Sequence, residues 1–194
     1  MSDPTKPAPP PGTDPLHNLP QLQGQPPVRR TIESIISHCS ATPTGRHVTV
    51  YDIDTWHAAR GFRRQPVDVA QHNPNLRSIG YHYLVDILGQ LHTGRAEAEI
   101  GAHTAGTNAR SLGVCMVGTS RYNGQQWRTL AVLVAALRQR YPNARVVGHR
   151  DCSPDRNGDG VVQPSEWLKT CPGFDVAQWL QGGMRSLPNH LVPD

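Results

Sequence analysis

Three side chains that lie far apart in the sequence are of the types that hold a zinc ion. His38 lies in a Ser-His-Cys-Ser segment, His149 in Gly-His-Arg-Asp, and Cys171 in Lys-Thr-Cys-Pro. Two imidazoles and one thiolate are ligands that Zn²⁺ prefers. Catalytic zinc is usually held by three protein ligands, with the fourth position left to water. The sequence therefore predicts a metallohydrolase, on the condition that these three side chains meet in the fold.

Two neighbouring cysteines offer alternatives to this ligand set. Cys39 adjoins His38 and is a rival ligand, but adjacent residues of a strand point to opposite faces, so both are not expected to bind one ion. Cys152 follows His149 by three residues and could form a disulfide with Cys171, which would remove the thiolate. Both alternatives stay open at the level of sequence.

Composition limits the classes of protein to which the chain can belong. Its 194 residues suffice for one domain with a core. The net charge of +4 favours an anionic partner, but the basic residues are scattered, so nucleic-acid binding is not predicted. The sequence has no run of about 20 apolar residues, so a membrane span is not predicted. The first residues show no basic segment followed by an apolar one, so a secretion signal is not predicted. We therefore expect synthesis in the bacterial cytoplasm.

The order of predicted elements indicates the fold class that must position these residues. Strands are predicted at 31–37, 80–87, 90–93, 112–118 and 145–148, helices at 49–60, 125–141 and 174–180, and a loop at 64–78. This alternation predicts an α/β fold with a central mixed β-sheet flanked by helices. The strands ending near His38 and His149 would bring both imidazoles to one edge of the sheet, where α/β proteins place their chemistry.

The chain is predicted to divide into three parts. Residues 1–28 are rich in proline and lack apolar periodicity, which is typical of a disordered leader. Residues 29–182 carry all the predicted elements and form the single domain. Residues 183–194 are expected to be a loose tail.

Five segments, in order, resemble the motifs of the type 2 N-acetylmuramoyl-L-alanine amidases. That family includes the phage amidase lysozymes and the peptidoglycan recognition proteins. The segments are IISHCSATP (35–43), IGYHYLV (79–85), GAHTAG (101–106), SLGVCMVG (111–118), and GH (148–149) followed by KTCP (169–172). The resemblance spans roughly residues 31–180, and the ordered set is far more specific than any single segment.

The resemblance implies a role for each matching residue. His38, His149 and Cys171 match the zinc ligands, and His103 matches a residue of the substrate groove. The two catalytic side chains are matched by Tyr81 and Lys169. A lysine ammonium can stabilise an oxyanion, and a tyrosine can orient water or relay a proton, so the division of roles between them stays open. Without the resemblance, Tyr81 would be a packing residue and Lys169 a surface lysine.

A second metal site is predicted within the domain, between His149 and Lys169. Residues 155–166 fit the calcium-loop pattern D-x-[DN]-x-[DN]-G-x5-E over all twelve positions. The predicted Ca²⁺ ligands are Asp155, Asn157, Asp159, the Val161 carbonyl, Gln163 and Glu166. We expect such an ion to fix the insertion and thereby to position Lys169 and Cys171; the alternative is a polar surface loop.

The function that the resemblance implies is zinc-dependent hydrolysis of the bond between N-acetylmuramic acid and L-alanine. The partner would be peptidoglycan, met in the periplasm or cell wall, and the protein is expected to be a monomer. A phage or prophage endolysin is the role indicated first. The alternatives are a non-catalytic peptidoglycan-binding module and an amidase that acts in muropeptide recycling or as a toxin.

Overall fold

A mixed β-sheet organises the described part of the chain, residues 19–192. The structure is a computed structural model. The five strands of the sheet are β1 (Ser34–Cys39), β2 (Tyr83–Val85), β3 (Leu91–Thr93), β4 (Ser111–Met116) and β5 (Arg145–Gly148). The order across the sheet is β3-β2-β4-β1-β5, with β3 antiparallel to β2 and the other pairs parallel. The predicted α/β class with a central mixed sheet is confirmed.

Four α-helices within residues 19–192 accompany the sheet, and local side chains fix where three of them begin. The helices are α1 (Val50–Ala59), α2 (Pro66–Gln71), α3 (Gly124–Arg140) and α4 (Val176–Gln181). Capping boxes begin α1 at Thr49 and α3 at Asn123, and Asp175 caps α4. No helix within residues 19–192 is long and apolar enough to cross a membrane.

The short helix α2 is the element that the sequence prediction placed wrongly in a loop. Pro66 occupies its first turn, where no hydrogen bond within the helix is lost by its missing amide hydrogen. The carboxylate of Asp68, also in the first turn, is stabilised by the positive end of the helix dipole. The buried Arg64 guanidinium then donates to four carbonyls between residues 68 and 76. This nearby buried cation thus satisfies carbonyls within and after a helix that is too short to show apolar periodicity.

Alternation along the strands separates an apolar layer from the side that carries His38. Ile35 and Cys39 of β1 belong to the buried cluster that packs on α3 and α4. On β4, Leu112, Val114 and Met116 join the same cluster, while Cys115 belongs to a second cluster on the other face, near α1. His38 lies between Ser37 and Cys39 in β1 and therefore points away from α3.

Both predicted ends of the domain need correction. The predicted leader lies partly outside the described residues, but Leu22 is buried in the core and its carbonyl accepts from Arg140 at 2.8 Å. The predicted loose tail also packs on the domain: the amide of Tyr122 donates to His190 O at 2.8 Å, and Val192 N donates to Tyr122 O at 2.9 Å. The folded unit therefore begins by residue 19 and extends to about residue 192, because apolar residues in both segments bury surface against the core.

Candidate metal centre and groove

The register of two parallel strands brings His38 and His149 together. Ser37 of β1 pairs with Gly148 of β5, so His38 and His149 are the next residues along the two strands. β5 ends at Gly148, and a short 3₁₀ turn (His149–Cys152) begins at His149. The ring centroids of the two histidines lie 4.6 Å apart. Parallel pairing therefore delivers both imidazoles to the carboxyl edge of the sheet, as the sequence predicted.

Cys171 completes a group of three metal-ligand atoms at this edge. One ligand atom each from His38, His149 and Cys171 lies within 4.8 Å of the others, and within residues 19–192 no second group of this kind is formed. Cys171 Sγ lies 3.8 Å from His38 Nδ1. The amide of Arg150 donates to Cys171 O at 2.8 Å and holds the cysteine segment against the turn. This nitrogen and sulfur donor set fits Zn²⁺.

The two rival arrangements of the cysteines are not formed. Cys39 is buried on the apolar face of the sheet and is not one of the three converging ligands; its backbone amide donates to Cys171 Sγ at 3.2 Å. Cys152 and Cys171 are both free thiols. The sulfur of Cys171 is therefore available as a ligand.

Burial and neighbouring side chains shift the pKa values of the three candidate ligands. Desolvation, followed by the charges of His103 and His149, holds the pKa of His38 well below its usual range. Burial and then Lys169 lower the pKa of His149 to about 4. A hydrogen bond with Cys39 and then burial raise the pKa of the Cys171 thiol. The imidazoles are thus neutral, as metal ligands must be, and the thiol would lose its proton to solvent when a divalent cation binds.

A groove of about 420 Å³ opens beside the three ligands. Its lining includes His149, Lys169 and His103. Lys169 is exposed, so its ammonium can reach the groove without a burial penalty. The volume lies within the range of ligand-binding clefts. The structure therefore brings the predicted groove residue and one predicted catalytic residue to the same opening as the candidate zinc ligands.

Tyr81 lies beside the centre but does not line the groove. Its ring centroid is 5.1 Å from that of His38. Burial, followed by the nearby sulfurs of Cys115 and Cys171, raises the pKa of the Tyr81 hydroxyl well above its usual range. The phenol therefore keeps its proton near neutral pH and can act as a hydrogen-bond donor.

His103 lies in the groove, as expected, but it also makes a contact with a candidate ligand that the sequence did not predict. Its Nδ1 lies 3.1 Å from His38 Nε2, on the side of that ring away from Cys171. Burial is the main cause that lowers the pKa of His103 to about 3, so this ring is neutral as well. The residue therefore belongs both to the groove and to the immediate surroundings of a candidate ligand.

The insertion at 155–166 forms a turn stabilised by its own hydrogen bonds. The predicted ligands Asp155, Asn157, Asp159, Val161, Gln163 and Glu166 all lie in it. Asp155 accepts from two loop amides at 2.7 and 2.8 Å, and the buried Glu166 accepts from three. The acidic side chains of this turn form no converging group of ligand atoms. Calcium binding therefore stays a prediction.

Several groove residues were not predicted from the sequence. They are Phe62, Ala102, Thr104, Ala105, Asn108, Cys152, Ser153 and Leu168. Thr104 and Asn108 could have been found, because they lie in or next to the segment that carries His103. Phe62 and Leu168 carried no signal, since isolated apolar residues after a turn look the same whether they line a groove or pack in a core.

Comparisons with known proteins agree on one family. Residues 28–174 match the family described as N-acetylmuramoyl-L-alanine amidase. An uncharacterized protein of Haemophilus influenzae is 48% identical over 114 residues, which are 55% of this chain and 98% of that protein. The endolysin of Enterobacteria phage T3 is 29% identical over 159 residues, 78% of this chain and 87% of its own. The solved endolysin amidase LysCS of Clostridium intestinale covers 80% of this chain and 84% of its own, with a TM-score of 0.59 and 23% identity, which shows a shared fold.

Proposed function

Because the chain belongs to the N-acetylmuramoyl-L-alanine amidase family, we propose that it cleaves the amide bond between N-acetylmuramic acid and L-alanine with the help of zinc. The observation that carries this proposal is the convergence of His38, His149 and Cys171 within 4.8 Å beside a groove. When bound, Zn²⁺ supplies Lewis-acid polarisation of the amide carbonyl and activation of a water molecule. The groove would hold the glycan and the stem peptide on either side of the scissile bond.

Two side chains of the protein act on the reacting groups in this proposal. Lys169, an exposed residue of the groove lining, would bring its ammonium to the negative charge that develops on the carbonyl oxygen. Tyr81, protonated and beside His38, donates a hydrogen bond to the attacking water or to the same oxygen. Phe62 and Leu168 give the groove apolar walls that limit the access of bulk water.

A product assay separates this function from its alternatives. The amidase is expected to release L-alanine amino termini from intact sacculi, and Cys171→Ala is expected to release none above background. Binding to sacculi without any release would identify a peptidoglycan-binding module and contradict the proposal. Release from soluble muropeptides alone would keep the amidase but replace the endolysin role with recycling or toxin action.

Lys169→Ala is expected to lower kcat about a hundredfold, because removal of one donor to an oxyanion costs about 10²–10³ in rate. Lys169→Arg should recover part of the loss, since it keeps the positive charge. The measurement is turnover of a defined muropeptide, together with zinc content, which should not change.

Arg128→Ala is the matched control for Lys169→Ala. It removes one exposed positive charge from α3, away from the groove. The net charge of the protein, which sets its attraction to an anionic wall, therefore changes by the same amount as in Lys169→Ala. Equal losses of kcat in the two variants would show that Lys169 acts only through net charge and would contradict its catalytic role.

The proposal extends to calcium in the turn at 155–166. The twelve-residue pattern supports it, together with the buried Glu166 that closes the turn. A calcium-selective chelator is expected to lower the thermal midpoint of the protein by several degrees, whereas Asp159→Ala should melt at the same temperature with and without the chelator. An unchanged midpoint in the wild-type protein would contradict calcium binding.

A further inference from the structure

His103 contacts the proposed zinc ligand His38 on the edge of the ring that faces away from Cys171. His38 Nδ1 points toward Cys171 Sγ at 3.8 Å, while its Nε2 lies 3.1 Å from His103 Nδ1. The hydroxyl of Thr104 is the only other polar group recorded near this nitrogen within the described residues, at 3.4 Å. The non-coordinating nitrogen of His38 therefore has a neighbouring imidazole as its nearest partner.

The fold holds the His103 ring by close packing. A Cβ added at Gly101 would lie 2.5 Å from His103 Cδ2, and one added at Gly113 would lie 2.6 Å from the same atom. Such distances are too short for real contacts, so any side chain at either position would displace the ring. Asn108 Oδ1 accepts from the amide of His103 at 2.9 Å and fixes its backbone. The site is shaped around an imidazole at residue 103.

The polar contacts of His103 favour one tautomer. Ser111 Oγ donates to Thr107 O at 2.9 Å and keeps its lone pairs for a donor. His103 Nε2 lies 3.5 Å from that oxygen, at the outer limit of a hydrogen bond. With its hydrogen on Nε2, neutral His103 has a lone pair on Nδ1, which lies 3.1 Å from His38 Nε2 and 3.2 Å from Thr104 Oγ1 and can accept from His38 Nε2–H.

We infer that His103 is a positioning residue, which accepts a hydrogen bond from His38 Nε2–H and thereby turns the lone pair of His38 Nδ1 toward the zinc ion. A partner on the non-coordinating nitrogen fixes both the tautomer and the ring orientation of a metal-bound histidine, and its loss commonly costs about 10–100-fold in metal affinity. Here a second imidazole fills the place that a carboxylate or carbonyl often takes. The inference rests on the zinc site proposed above.

The test is the zinc dissociation constant, measured without substrate by competition with a chelating dye. His103→Ala is expected to weaken zinc binding about 10–100-fold. His103→Asn, whose amide oxygen can stand near the position of Nδ1, should restore most of the affinity. His47→Ala removes an exposed imidazole that is not one of the three converging ligands and is expected to bind zinc like the wild type.

A second readout reports the tautomer directly. Long-range ¹H–¹⁵N spectra of the metal-free protein should show His38 with its hydrogen on Nε2 in the wild type and in His103→Asn. In His103→Ala the same spectra should show a mixture of both tautomers. These spectra also show whether each variant is folded.

The outcomes separate this inference from the zinc site itself. A wild-type protein that binds no zinc would refute the proposed site. A wild type that binds zinc, with a folded His103→Ala that binds it within about twofold, would overturn the positioning role and leave His103 as a groove residue only. A larger loss in Thr104→Val than in His103→Ala would overturn it too, by making the Thr104 hydroxyl the acceptor for His38.

Discussion

Cys171→Ala is expected to abolish stoichiometric zinc binding and to lower amidase turnover by at least about a thousandfold, or about 4 kcal/mol in the barrier. The variant removes the only sulfur of the ligand group and leaves His38 and His149, two ligands that hold zinc far more weakly than three. Removal of one oxyanion donor already costs about 10²–10³ in rate, and loss of the cation removes more than one such interaction. Metal analysis and product release from sacculi measure the two effects.

Cys152→Ala is the matched control for this result. Cys152 is also a free thiol that lines the groove, but it is not one of the three converging ligands. The Cys152→Ala variant should therefore keep about one zinc ion per chain. Full zinc content and turnover in Cys171→Ala, or loss of zinc in Cys152→Ala alone, would show that the ligand set is wrong.

Glu99→Gln is expected to destabilise the fold by about 3–5 kcal/mol, because it leaves buried positive charge without its partner. Both oxygens of Glu99 accept from Arg64 Nε at 3.0 Å, and Arg95 Nη1 lies 3.2 Å from Glu99 Oε1. The side chains of Arg64, Arg95 and Glu99 are 0%, 6% and 3% exposed. Their charges therefore have almost no compensation from water. The free energy of unfolding in urea measures the change.

The network that contains Glu99 also joins segments on which the groove depends. Arg95 donates to Ile79 O at 2.6 Å and to Ile100 O at 2.7 Å, so it links the segment before Tyr81 to the one before His103. We therefore expect Glu99→Gln to loosen both segments before the protein unfolds globally. Hydrogen exchange of the amides in residues 100–104 would show this as lost protection.

An exposed ion pair supplies the matched control for Glu99→Gln. Glu33 lies 3.1 Å from Arg110, and the two side chains are 49% and 68% exposed. Glu33→Gln makes the same chemical change in water and should cost about 0–1 kcal/mol. Similar unfolding free energies for the two variants would mean that the buried charges are not the reason for the predicted loss.

The elements that local sequence controls were predictable from the chain alone. The capping box of Thr49 and Asp52, the strand at 145–148 and the long helix α3 agree with the prediction, because caps and apolar periodicity act over a few residues. The positions of His38 and His149 at neighbouring strand ends followed from the same periodicity and from the order of the elements. Their meeting with Cys171, expected from the motif resemblance, is formed in the structure.

The tertiary structure decided what depends on partners distant in sequence. Arg64, which pairs with Glu99, 35 residues away, donates to carbonyls around a helix where the composition predicted a loop. Burial of Leu22 places part of the proline-rich leader on the core. Contact between His103 and His38, 65 residues apart, assigns a groove residue to the support of a candidate metal ligand. No local pattern encodes such contacts, because burial and charge compensation arise only when separate segments pack together.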